Sequence, residues 1–392
     1  MLVPYRLLVV CAALLSLSAC TDLPTQPPPT DALIVDAPLV PVTDNGDHYW
    51  PQQQWRSANA ADAGMDADRL RAGLAALAEE TPLLRNVIVI RHGYRVIARY
   101  YHGSTPDALW SLQSVSKSVT SLLMGIAVDQ GMVQSIDQTA LSFFPQYTDI
   151  QNLDDRKTRI TLRNLLSMKT GMNFYENPYQ GSPLQQLNTC GCDWLHLVLD
   201  VPMIGEPGST WSYNSGGVIL LGGVLRAVSG TSADQFAQQN LFSKIGVGQY
   251  YWATGKPDGL PHMGGGLFLS GDDLARIGYL VLRHGVWNEQ QIISSSWIDL
   301  STARATESIS GYFSRRPDYG MLWWLFPRNG INGAGSNDDY IIAAAGSGGQ
   351  WLFVDRTNDL VAVFQNELGG DGLPSLKYFF DVILPSIPAP NE

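Results

Sequence analysis

Hydrophobic positions recur with two periods along this chain, and the changes of period divide it. From Asp66 to Glu80, Leu70, Leu74 and Leu77 fall at helical spacing behind an acidic residue suited to capping a helix start. Asn86–Tyr101 (NVIVIRHGYRVIARYY) holds two β-rich runs on either side of His92 and Gly93, which predicts a hairpin. The helical period returns at Ser114, with Val119, Leu122, Leu123 and Ile126 on one face and Gly131 at the end. Between about 134 and 263 the pattern is one of helices and loops punctuated by Gly and Pro, and Ser270–Gly285 is helical again. Tyr340–Asp355 (YIIAAAGSGGQWLFVD) and Leu360–Glu367 (LVAVFQNE) read as two strands joined by turns, before a last amphipathic segment, Leu376–Leu384. This order predicts a mixed α/β (α+β) domain: an antiparallel sheet flanked by N- and C-terminal helices, with a helical domain inserted over about 134–263.

The first residues follow neither period. One Arg precedes an apolar run from Leu7 to Leu17 that is too short to span a membrane and reads as an export signal. Leu17, Ser18, Ala19 and Cys20 resemble the lipobox of bacterial lipoproteins, which implies cleavage after residue 19 and a lipid on Cys20. An ordinary cleavable signal is the alternative. Residues 20–48 are rich in Pro, Asp and Thr and read as a disordered tether, so the folded domain is expected over 49–392. Both readings place the protein outside the cytoplasm, and the lipobox reading places it in the cell envelope, membrane-anchored through Cys20 and facing the periplasm or the exterior.

Composition adds one exclusion. A formal net charge of -11 on 392 residues, without Lys and Arg clusters, argues against a nucleic-acid partner. In an exported protein Cys190 and Cys192 can pair or remain thiols. With Asp193 and His196 they form a Cys-x-Cys-Asp-x-x-His cluster, but no second set of ligands accompanies it, and no metal or organic cofactor is expected.

The candidate chemistry lies at the start of the second helix. Ser114 and Lys117 are three residues apart, which sets a hydroxyl and an amine side by side on one helix face. An amine of depressed pKa can take the proton of a serine and make it a nucleophile. Alone this spacing is weak. In context, Ser111–Gly131 (SLQSVSKSVTSLLMGIAVDQG) resembles the nucleophile helix of the serine β-lactamase and penicillin-binding-protein superfamily. Tyr213, Asn214 and Ser215, in Glu206–Leu225 (EPGSTWSYNSGGVILLGGVL), resemble its Tyr-x-Asn element, with Ser215 in place of the Asn. Ile160–Met172 and Gly264–Ile298 are similar to segments of the esterase and aminohexanoate-dimer hydrolase branch, and the resemblance runs from about Trp55 to Leu384.

That resemblance implies a β-lactamase/transpeptidase-like fold and a serine hydrolase that needs no cofactor. Its Lys117 and Tyr213 would share the base role, with the Tyr213 phenol lowered in pKa by the Lys117 cation. The family's third element is Lys-Thr-Gly or a variant on a late strand, where a backbone N–H joins that of Ser114 as the oxyanion hole. Here Gly346, Ser347, Gly348 and Gly349 fill that place, with no cation. The Lys169-Thr170-Gly171 tripeptide lies too early in the chain and reads as a helix terminus closed by Gly171. Loss of the cation and of the Asn implies a small ester, amide or peptide-like substrate rather than a penicillin. The alternatives are a β-lactamase or D-alanyl carboxypeptidase, and a catalytically silent ligand-binding lipoprotein. A Ser-His-Asp hydrolase would need a Gly-x-Ser-x-Gly elbow, which the chain lacks.

Overall fold

The computed structural model describes residues 39–42, 49–51, 54–255, 257–328, 330 and 339–388. The leader, Cys20 and most of the Pro-rich tether lie outside the described residues.

The first helix, α1 (Ala67–Glu80), starts where Asp66 accepts a hydrogen bond from the Arg69 N–H and buries Leu70, Leu74 and Leu77. Strands β1 (Leu84–Arg91) and β2 (Tyr94–Tyr100) follow as a hairpin. Its two turn residues, His92 at φ 51° and Gly93 at φ 75°, both take the left-handed region that a tight hairpin of right-twisted strands requires. Next come α2 (Val115–Asp129), the helical region with α3 (Ser215–Ser229), and α4 (Gly271–Leu282). Five strands complete the sheet: β3 (Asp318–Tyr319), β4 (Trp324–Pro327), β5 (Tyr340–Gly346), β6 (Gln350–Asp355) and β7 (Leu360–Asn366). The chain then runs into α5 (Leu373–Tyr378), a wider turn over Phe379–Ile383 and a tight one over Leu384–Ser386.

The seven strands lie in the order β2-β1-β7-β6-β5-β4-β3, and every neighbouring pair is antiparallel. The two late strands expected from the sequence are three. Gly348 and Gly349, both at positive φ, fold Tyr340–Asp355 back on itself, so Gly346 pairs with Gln350.

Each sheet face takes a helical layer, as period-two alternation demands. Leu352 and Val361 face α4, where Gly278 lets the helix so close that an added Cβ would sit 2.6 Å from Leu352. Phe353 and Phe364 face the other way, onto Phe379 and Tyr378. Helix α2 departs from its expected one-sided pattern. Every residue from Val115 to Ala127 is buried, because the helix runs between β5 and α3 with neighbours on all sides.

Phe353 stacks on Phe379 with ring centroids 4.0 Å apart, both fully buried. We expect Phe353→Ala to cost about 3–5 kcal/mol, read as a lower urea midpoint, since it removes the ring that docks the C-terminal helix on the sheet.

Candidate active site

A second, three-stranded sheet leads the chain into α2. Ser111 pairs with Phe268, and the Leu112 N–H donates to the Leu267 carbonyl. Gln113 then turns at φ 48°, a conformation that costs a residue with a side chain about 1–2 kcal/mol. Two bonds hold it there: Gln113 Nε2 donates to Ser111 Oγ at 2.8 Å, and Ser116 Oγ donates to the Gln113 carbonyl at 2.7 Å. Ser114 occupies the N-cap position with helical dihedrals and no side-chain capping bond. A capping serine ordinarily sits in the β region and spends its hydroxyl on the helix N–H groups. Here the hydroxyl is left for Lys117.

Lys117 Nζ donates to Ser114 Oγ at 2.9 Å and to the Gly264 carbonyl at 2.5 Å, while its side chain is 1% exposed. Burial pushes the amine down to about 8, against the nearby Glu176 carboxylate, which favours the charged form. A substantial fraction is therefore neutral near pH 8 and able to accept the Ser114 proton. His262, half-buried, also lies near it, its imidazole lowered to about 4 by burial and by the Lys117 charge.

Tyr213 lies against the same pair, with Lys117 Nζ 4.8 Å from its ring centroid and its phenol interacting with Ser114. The expected lowering of its phenol does not occur. Burial and the Glu176 charge raise it well above its ordinary value, outweighing the opposing effect of Ser114, so Tyr213 stays protonated and able to donate.

Ser215 opens α3 and is 2% exposed. It packs on Gly264, where an added Cβ would meet its Cβ at 3.1 Å, so the side chain that stands in place of the Asn is wedged beneath the site. Its N–H donates to Glu176 Oε1 at 2.5 Å, which fixes a carboxylate on the helix N-terminus beside the nucleophile.

The misplaced Lys-Thr-Gly tripeptide turns out to brace the Tyr213 loop. The short helix Leu162–Leu166 ends with Met168 at φ 58°, not with Gly171, whose own positive φ lies where an added Cβ would be 2.4 Å from the Gly205 carbonyl. Ser212 N–H donates to the Met168 carbonyl at 2.8 Å, and the buried Asn214 Nδ2 donates to Thr170 Oγ1 at 3.0 Å. Asn214 in turn caps α3 by accepting from the Gly217 N–H at 2.8 Å. Lys169 points elsewhere, to the Ala305 carbonyl.

The late glycine run divides in two. An added Cβ at Gly346 would lie 2.3 Å from the Leu112 carbonyl, so the end of β5 runs hard against the turn that presents Ser114. Ser347 begins the hairpin turn, and Gly348 and Gly349 pack on Glu367 and Asn366 instead. The expectation of an oxyanion strand through all four residues narrows to Gly346 and Ser347. Ala344 and Ala345, both buried, precede them. Trp211, Tyr312 and Trp324 wall the site: Trp324 stacks on Tyr213 at 5.8 Å, and Tyr312 lies 5.7 Å from the same ring.

The beta-lactamase family profile matches residues 58–372, most of the chain. The chain belongs to the beta-lactamase family. It is 22% identical over 299 residues to a 6-aminohexanoate-dimer hydrolase of Paenarthrobacter ureafaciens, 71% of either chain. A solved family VIII carboxylesterase superposes with a TM-score of 0.62 at 18% identity, over 81% of this chain and 97% of its own. A beta-lactamase/D-alanine carboxypeptidase from Pseudomonas syringae gives 0.64 at 16% identity, over 82% and 99%. At these identities the structural likeness is one of fold, and the family makes this chain a serine hydrolase.

In this beta-lactamase-family chain, sequence reasoning missed Glu176, Gly264, Trp211 and Tyr312. No motif marks Glu176, a lone carboxylate in a Pro- and Gly-containing loop, whereas Trp211 stands two residues before Tyr213 and could have been read as its neighbour. Cys190 and Cys192 form a disulfide, and Asp193 caps the Trp194–Asp200 helix while accepting from the Tyr147 hydroxyl at 2.6 Å.

Three outcomes are expected. Thr170→Val strands the buried Asn214 amide and costs about 1–3 kcal/mol, with a loss of kcat/KM as the Tyr213 loop loosens. Lys169→Ala leaves kcat/KM within about twofold, as an ordinary surface substitution does; a greater loss for Lys169→Ala than for Thr170→Val contradicts this placement. In a pH series, kcat/KM rises about tenfold per unit toward pH 8 and levels above it, since the protonated Lys117 cannot act as base. A flat profile from about pH 6 to 9 would contradict that role.

Proposed function

We propose that the chain cleaves esters or amides through an acyl-enzyme on Ser114. The observation that carries this reading is the 2.9 Å bond between Ser114 Oγ and an amine that burial brings to about 8. Neutral Lys117 takes the hydroxyl proton as Oγ attacks the carbonyl carbon. The oxyanion that forms accepts from the Ser114 N–H and from a backbone N–H at Gly346 or Ser347. On collapse the Tyr213 hydroxyl gives its proton to the leaving oxygen or nitrogen and recovers one from the Lys117 ammonium. Water then attacks the acyl carbonyl, giving a proton to Lys117, and collapse breaks the bond between the acyl carbon and Ser114 Oγ as the Lys117 ammonium returns that proton to Oγ. Tyr213 thus serves as donor and relay, in keeping with its raised pKa.

The substrate is a small ester or amide without a carboxylate near the scissile bond. Ala344 and Ala345 offer no cation beside Gly346, and Glu176 repels an anion. This disfavours a penicillin or a D-alanyl peptide as the preferred substrate. The 6-aminohexanoate-dimer hydrolase and family VIII carboxylesterase among its relatives support ester or amide cleavage. The apolar leader and the Leu17–Cys20 lipobox support export and a membrane anchor at Cys20.

A panel of nitrophenyl esters, anilides and cephalosporins tests the reading. We expect turnover of short-chain esters well above that of any cephalosporin, abolished in Ser114→Ala. Cephalosporin turnover equal to ester turnover would overturn the substrate class, and undiminished ester turnover in Ser114→Ala would overturn the mechanism.

A further inference from the structure

Beside the nucleophile lies a group of aromatic rings of which bond cleavage itself uses only Tyr213, through its hydroxyl. Trp211, Tyr213, Tyr312, Phe313 and Trp324 pack ring against ring, with centroids 4.9 to 6.5 Å apart. Most of this surface is buried, but Tyr312 is 45% exposed and gives the group an open side. One of these rings already faces a cation, since Lys117 Nζ lies 4.8 Å from the Tyr213 centroid.

Among the described residues, Glu176 is the acidic group whose charge bears on both Tyr213 and Tyr312, and it also acts on Lys117. Its carboxylate is held at Oε1 by the Ser215 N–H, and the residue is half-buried, so it is fixed in direction without being closed off. Ring faces carry negative potential and attract a cation without needing a hydrogen bond, and a carboxylate beside them adds charge attraction. A neutral substrate gains little from such a set, and an anionic one is repelled.

We propose that this site selects esters and amides that carry an ammonium group a few atoms from the scissile carbonyl, with Glu176 as its charge partner and Tyr312 as its open aromatic face. The proposal rests on the hydrolase reading above and narrows its substrate class. A bound ammonium would sit near Lys117, where its charge further disfavours the protonated amine and so favours the form that acts as base.

Two matched ester pairs test it. One is butyrylcholine and its neutral isostere, in which carbon replaces nitrogen; the other is the nitrophenyl ester of trimethylammoniobutyrate and its corresponding isostere. In at least one pair, kcat/KM for the cationic ester exceeds that for the isostere by about tenfold or more. Glu176→Gln brings the ratio toward one, and Glu176→Asp restores part of it, which a purely structural cap on α3 would not do. Ratios near one for both pairs in the wild type, or a ratio unchanged in Glu176→Gln, overturn the proposal. Should Glu176→Gln not fold, the wild type still decides. Phenyltrimethylammonium is expected to inhibit hydrolysis of a neutral ester competitively, where sodium chloride at equal ionic strength does not, and no inhibition overturns the proposal. Ser114-dependent cleavage of neutral esters without cation preference sinks this inference alone. Cleavage of no ester at all sinks the hydrolase reading beneath it.

Discussion

Lys117 places an ammonium-bearing side chain where water does not reach, and the rest of the site follows from how that is tolerated. An unpaired buried amine costs several kcal/mol, which is relieved by losing its proton or by finding acceptors. Lys117 does some of both: it bonds the Gly264 carbonyl and Ser114 Oγ, and its pKa falls to about 8. Near neutrality the residue is thus divided between a form that donates to the serine and a form that can take its proton. That division is what makes a hydroxyl at the start of a buried helix chemically useful.

The fold supplies the burial. Helix α2 lies between the late strands and α3 and is enclosed on every side, so its first turn cannot be solvated even though Ser114 itself is reachable. Gly264 comes from the segment that enters the small sheet, and the same sheet takes the backbone of Ser111 and Leu112. Gly346 must lack a side chain for β5 to run against the Leu112 carbonyl. Thr170 and Met168 hold the Tyr213 loop from below. Four separated stretches of sequence therefore converge on one turn, and each contributes backbone contacts as much as side chains.

This explains which parts of the molecule could be read from the sequence. Elements with strong local signals were legible: the Asp66 cap, the His92–Gly93 hairpin and the Ser114–Lys117 pair all depend on residues within a few positions of one another. The convergent parts were not. Glu176 acquires its place through the Ser215 N–H, 39 residues away, and nothing in its loop announces that. The Tyr213 pKa ran opposite to expectation because the Lys117 cation was visible in the motif, while burial and the Glu176 carboxylate were not. The Gly346–Gly349 run was readable as filling the place of the family's third element, but only the structure divides it into a strand end and a turn.

The central claim is that Ser114 is the one hydroxyl activated for attack on a carbonyl. Mass mapping of the protein after reaction with a fluorophosphonate probe tests it most directly. The account predicts a single adduct on the peptide carrying Ser114, absent from Ser114→Ala. An adduct on another residue, or equal labelling of Ser114→Ala, would contradict it.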